Sequence, residues 1–255
     1  MRATFRYVLL TAFRDRFVAA IVLTLLAAVG VSGLLAASTV VEGRQAGLAY
    51  GGELCRTALV LGLVTFVCFH VRRLHDSREI EAMLARPLSR GAFIFAYYGA
   101  FCAVALPLAL AAGALLMAGL GGRGAGLALW EASLMLEVLI VLAMALFAAM
   151  ALESATAAVL AALGFYALGR SMAMFVGIVK AGSGATDSAG VNVTADVAVR
   201  VVAAVMPRLD LFGQSRWLTL GPGGGWGLRE LLLQTAIYVP LLLLATVRDL
   251  GVKRF

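Results

Sequence analysis

The sequence predicts an all-α, polytopic membrane protein with six transmembrane helices. Hydrophobic residues make up 62% of the 255-residue chain, and charged residues make up only 14%. Six apolar runs are each long enough, at about 18 residues or more, to cross a bilayer. These runs cover residues 17–39, 54–71, 92–119, 127–152, 155–179 and 228–247. They leave no room for a soluble domain, so we expect residues 1–255 to form a single transmembrane domain.

Residues 1–16 predict an amphipathic elbow helix on the inner membrane surface. Phe5, Leu9, Phe13 and Phe17 recur every four residues and therefore share one helical face, while nearby arginines can reach lipid phosphates. The alternative is a plain helical start to the first span. The first apolar run is longer than the hydrophobic region of a signal peptide, so we expect it to be retained as a helix.

The insert 72–90, between the second and third spans, predicts a short cytoplasmic helix over 77–85. Asp76 followed by Glu79 is a plausible helix start, and Pro87 disfavours helix at the residue before it. A defined helix with apolar and charged side chains suits a docking surface, although an ordinary connector remains the alternative. The side chains that it offers to a partner are Arg78, Glu79, Glu81, Met83, Leu84 and Arg86.

Two charged residues lie inside the fourth and fifth apolar runs. The turn at Glu153 and Ser154 is so short that these runs must form an antiparallel hairpin. Glu137 and Arg170 lie at similar distances from that turn and hence at similar depth. Because isolated charges in lipid are costly and usually paired, we predict an ion pair between Glu137 and Arg170. The pair is either purely structural or part of a pathway, and Glu131 instead reaches interfacial water.

The segment 180–227 predicts an outer loop with a re-entrant or interfacial helix. Residues 181–190 are small and polar, whereas 197–206 are apolar but too few to span. Trp217 and Trp226 fit the aromatic belt at a membrane surface.

The charge pattern predicts that both termini are cytoplasmic. Lys and Arg are denser before the first span, in the insert 72–90 and after the last span than in the longer loops of the other side, to which we assign Arg44 and Arg56. The net charge of +7 therefore follows membrane topology, and we expect lipids, not nucleic acid, as the contact of these basic residues.

The chain lacks the motifs of an enzyme. It contains no phosphate-binding GxxxxGK[ST] loop and no HExxH sequence. Cys68, His70 and His75 are a weak metal or haem signal because their spacing does not place them on one helical face. We therefore predict no catalytic residue, no metal site and no bound cofactor in this chain.

Two stretches of sequence resemble the ABC-2 type permeases, the membrane subunits of ATP-binding cassette exporters. Residues 79–100 (EIEAMLARPLSRGAFIFAYYGA) are similar to the loop and third-helix start of that family, although Leu88 stands where a β-branched residue is commoner. Residues 206–212 (MPRLDLF) are similar to the segment before its last span. The six-span topology, elbow and charged insert also resemble the family.

The resemblance implies a permease subunit that forms a homodimer or pairs with a similar chain. A separate cytoplasmic ATPase subunit would bind ATP and Mg, and the 77–85 helix would be the coupling helix seated on it. Pro207, Asp210 and Phe212 would belong to an outer gate. The expected location is the bacterial inner membrane.

The cargo implied by the resemblance ranges from lipids to peptides, and some family members act in maturation of extracytoplasmic proteins. Mostly apolar spans favour an amphipathic or lipid-like cargo. The competing hypotheses are a non-transport membrane scaffold or assembly factor, and a haem-handling membrane protein that uses Glu137, Arg170 and the Cys68–His70–His75 group.

Overall fold

The described part of the chain is entirely helical, without strands, and includes five helices that are long and apolar enough to cross a membrane. The computed structural model describes residues 16–38, 43–77, 90–175, 177, 206–221 and 227–252. The helices are α1 (Arg16–Ser38), α2 (Gly43–Asp76), α3 (Arg90–Leu120), α4 (Ala125–Ala151), α5 (Ala155–Arg170), α6 (Arg216–Leu220) and α7 (Leu228–Val252), with a 3₁₀ turn at Leu209–Leu211. Residues 1–15 of the predicted elbow 1–16 and residues 78–89 of the predicted coupling loop 72–90 lie outside the described residues, whereas residues 72–76 belong to α2.

Helix α4 is the centre of the bundle. It packs against α2, α3, α5, α6 and α7, and every residue from 140 to 146 is buried. A helix that is apolar on all sides is expected either in the core of a protein or across a membrane. Helices α1 and α7 instead expose much of their apolar surface, including Leu23, Leu34 and Leu244, as expected of helices that face lipid.

The two ends of the bundle are defined by contacts between helix termini. At the first end, Phe17 of α1 stacks on Phe69 of α2, and Arg90 donates a 2.5 Å hydrogen bond to the carbonyl of Leu250. At the second end, Arg44 donates a 2.6 Å hydrogen bond to the carbonyl of Gly121. Gly121 has a φ of +67°, a left-handed conformation that glycine adopts readily and that ends α3.

Several helix boundaries differ from the predicted spans. Helix α2 continues to Asp76, beyond its predicted end at residue 71, so Asp76 is the last residue of α2 and not the predicted start of the 77–85 helix. Helix α7 likewise continues to Val252, beyond residue 247. Helix α2 begins at Gly43, not at residue 54, because its glycine-rich first turns pack closely on α1, where Gly47 lies against Ala36. Helix α5 is 16 residues long and ends at Arg170. After a turn at Ser171, residues 172–175 are again helical, so the predicted fifth span 155–179 is interrupted at Ser171. The predicted count of six spans thus compares with five long helices and one shorter apolar helix among the described residues.

Candidate functional site: a charged network inside the bundle

Four charged side chains form a network between α2, α4 and α5. Arg56 of α2 forms an ion pair with Glu137 of α4, and both side chains have 0% exposure. Arg170 of α5 donates hydrogen bonds of 2.5 and 2.9 Å to the two carboxylate oxygens of Glu53 on α2. Arg170 Nη1 also lies 3.9 Å from Glu137 Oε1, which links the two pairs.

On α2 and α4, the acidic residues of the network lie about three turns from the N-terminal end of each helix. Glu53 is ten residues from the start of α2 and Glu137 is twelve from the start of α4, which corresponds to roughly 15–18 Å at 1.5 Å per residue. The hydrocarbon core of a bilayer is about 30 Å thick. Charges at this depth require compensation from their neighbours.

The buried pair is held by additional polar and aromatic contacts. Arg56 Nη2 donates a 3.0 Å hydrogen bond to Ser133, and the hydroxyl of Tyr166 donates a 3.1 Å hydrogen bond to Glu137. The guanidinium of Arg56 also stacks over the Trp130 ring at 5.2 Å from its centre, a favourable cation–π arrangement. These contacts compensate the charges of the pair, while Arg56 Nε is buried without a hydrogen-bond partner among the described residues.

The second pair is only partly enclosed. The side chains of Arg170 and Glu53 are 22% and 36% exposed, respectively. Arg170 is the last residue of α5, so its side chain reaches α2 from the edge of the bundle. This arrangement leaves one side of the ion pair open at the α2–α5 surface.

The predicted partners Glu137 and Arg170 therefore belong to one network, but each has a nearer partner that the sequence did not suggest. Arg56, which we assigned to an outer loop, is instead buried inside α2. The signal that was missed is the spacing of Glu53 and Arg56, which are three residues apart and share one face of α2. The predicted second span begins at residue 54 and so leaves Glu53 outside the helix, which hides this spacing.

The segment 206–221 covers the network at the second end of the bundle. Gly213 lies directly on the guanidinium of Arg170, so closely that a Cβ at this position would overlap it. The backbone of Pro207 lies against Gly169 at the end of α5. Of the other predicted gate residues, Phe212 is fully buried, and Asp210 pairs with Arg208 at 2.8 Å. Residues 197–205 of the predicted re-entrant helix lie outside the described residues.

The proposed haem or metal ligands do not converge. His70 packs between the rings of Phe66 and Phe101, with 5.6 Å between ring centres in each case. The thiol of Cys68 is directed at the carbonyl of Ala145 on α4, while His75 contacts the carbonyl of Val71 on its own helix. Within the described ranges, no group of three His, Cys, Asp or Glu side chains is placed to hold a metal ion.

No protein-family model and no curated protein matches this chain. The network itself consists of two carboxylates and two guanidinium groups, so its formal charges cancel. It contains no activated nucleophile. It is suited to binding, gating or stabilising one conformation of the bundle.

Proposed function

We propose that this chain is the membrane-spanning permease subunit of an ATP-binding cassette transporter of the ABC-2 type. It lies in the bacterial inner membrane with both termini in the cytoplasm, and it pairs with a second permease chain. A separate cytoplasmic ATPase binds ATP and Mg and drives the movement. The resemblance of residues 79–100 and 206–212 supports this assignment.

The observation that carries the proposal is the open side of the Glu53–Arg170 pair. Both side chains are partly exposed at the α2–α5 surface, in a bundle whose long helices are apolar enough to cross a membrane. Contact with lipid tails is unfavourable for charged groups, which usually face a cavity or a partner. The α2–α5 surface therefore needs a polar neighbour, and a water-filled pathway beside a second permease chain provides one.

The segment 206–221 supports a gating role for the second end of the bundle. It contacts α5 through Gly169 and the network through Gly213, while the backbone N–H of Arg208 donates a 3.1 Å hydrogen bond to Gln234 of α7. Movement of α5 or α7 is thus transmitted to this segment. A rigid-body tilt of one permease chain against the other would displace it and open the network to the outside.

The surface of the bundle favours an amphipathic or lipid-like cargo. Beside the partly exposed Glu53, α2 also exposes the side chains of Tyr50 and Leu54. A charged headgroup and an apolar chain would find complementary groups there. Maturation of an extracytoplasmic protein by the same ATP-driven movement is the alternative outcome for this complex.

The decisive experiment is purification of the full chain from native membranes, followed by an ATPase assay of the eluate. The test variant replaces Glu79, Glu81, Met83 and Leu84 together, and the control is Glu153→Gln, an exposed substitution in the α4–α5 turn. We expect the wild type and the control to co-purify with an active ATPase and the fourfold variant to lose it. A wild-type chain that comes down without any ATPase would overturn the proposal and favour a scaffold.

A further inference from the structure

Glu131 is a buried carboxyl group that the charged network does not use. It lies on α4, six residues before Glu137. Both of its carboxylate oxygens are buried, and neither forms a hydrogen bond with the described residues. The carboxyl group lies directly against Gly113 of α3, in the space that a Cβ at this position would occupy. The expectation that Glu131 reaches interfacial water does not fit this placement.

The surroundings of Glu131 supply little compensation for a negative charge. The backbone N–H of Gly113 lies near the carboxyl group, but it is inside α3, where N–H groups bond to the carbonyl four residues earlier. Arg56 of α2 attracts the carboxylate electrostatically, yet its terminal nitrogens are directed to Glu137 and Ser133. An ionised carboxylate buried without a hydrogen-bond donor is strongly disfavoured, whereas the neutral acid is tolerated.

We propose that Glu131 is a proton-binding site whose occupancy is linked to the packing of α3 on α4. The carboxyl group carries a proton while Gly113 lies against it. Separation of α3 from α4 admits water, and the acid then releases the proton to that water as it ionises. The charged groups that respond are Arg56 on α2 and Glu137 on the same helix, because a new negative charge on Glu131 competes for Arg56.

Gly113 is the residue that makes this linkage possible. Any side chain at this position would fill the space of the carboxyl group and displace it from α3. The inference does not depend on the transporter proposal, since a proton site between two helices serves any membrane protein with two arrangements of those helices. Its failure would likewise leave the ATPase experiment unaffected.

The test is infrared spectroscopy of the purified full chain in detergent micelles at neutral pH, in H₂O and in D₂O. A protonated carboxyl group has a C=O stretching band that is absent from an ionised carboxylate and that shifts on deuteration. We expect wild type to show such a band and Glu131→Gln to lose it. The control Glu153→Gln, in the exposed turn, should retain it.

A second pair of variants tests the link to helix packing. Gly113→Ala should displace the carboxyl group and abolish the protonated band. Gly99→Ala, on the same helix but with open space around its Cβ position, should leave the band unchanged. Absence of the band from wild type, its survival in Glu131→Gln, or its survival in Gly113→Ala would overturn the proposal. The wild-type spectrum alone shows whether a protonated carboxyl group is present, even if a variant does not fold.

Discussion

The two ion pairs of the network contain the same kinds of residue and lie next to each other, yet their surroundings differ. Arg56 and Glu137 are fully enclosed between α2 and α4, and Ser133 and Tyr166 add hydrogen bonds to them. Glu53 and Arg170 are also in direct contact but keep one side open at the surface of the bundle. Direct contact alone therefore does not distinguish a structural ion pair from one available to a ligand.

The difference arises from the places of α4 and α5 in the bundle. Helix α4 is surrounded by neighbours, so a charge on it must be satisfied within the protein. Helix α5 is peripheral, and its buried residues are Ala158, Ala162 and Gly169. We infer that the enclosed pair holds the helices together. The open pair contributes less to stability and is accessible to a ligand.

The largest expected effect comes from removal of one charge of the enclosed pair. Arg56→Leu leaves Glu137 without its nearest partner, which should lower the free energy of unfolding by about 3–5 kcal/mol. Denaturation in mixed micelles with increasing SDS measures this change.

The matched control for that change is the double substitution Arg56→Leu with Glu137→Leu. Replacement of a buried ion pair by apolar side chains is often neutral or stabilising, and Arg170 keeps Glu53 as a partner. The double variant should therefore recover most of the lost stability. A double variant as unstable as Arg56→Leu would contradict a mainly structural role of the pair.

A smaller effect is expected where the 206–221 segment contacts the open pair. In Gly213→Ala the added methyl group overlaps the Arg170 guanidinium. Because this guanidinium can move only by disturbing its pair with Glu53, we expect a cost near the lower end of overpacking effects, about 1 kcal/mol. Gly164→Ala, on α5 with open space around its Cβ position, is the control and should not be destabilised by overpacking. The comparison of thermal unfolding midpoints checks this prediction, and equal midpoints would show that the segment does not press on Arg170.

The smallest effect on stability is expected for Glu53→Gln. Exposed ion pairs contribute about 0–1 kcal/mol, and Arg170 retains Glu137 at 3.9 Å. The same substitution should nevertheless reduce cargo-stimulated ATPase activity of the assembled complex if the α2–α5 surface lines the pathway. A loss of stability comparable to that of Arg56→Leu would show that the open side faces lipid, not water.

The long apolar runs of the sequence correctly predicted helices that are long and apolar enough to cross a membrane, because membrane-spanning segments must satisfy their backbone hydrogen bonds internally. The sequence also predicted the short α4–α5 connection at Glu153 and Ser154. In the structure, Ser154 accepts a hydrogen bond from the N–H of Ala157 at the start of α5. The composition of residues 43–53 concealed the first turns of α2. Their helical state depends on close packing of Gly47, Gly51 and Gly52 against neighbouring helices, which no local propensity indicates.

By itself, the sequence determined the helical class, the position of the long apolar runs and the need to compensate Glu137 and Arg170. Only the tertiary structure decided which partners they have, because ion pairing depends on the relative rotation of helices that are distant along the chain. It also decided that Glu131 lies against Gly113, since the absence of a side chain at 113 has meaning only once α3 and α4 are packed together. Hydrophobic length is a local property, whereas compensation of a buried charge is a property of the assembled bundle.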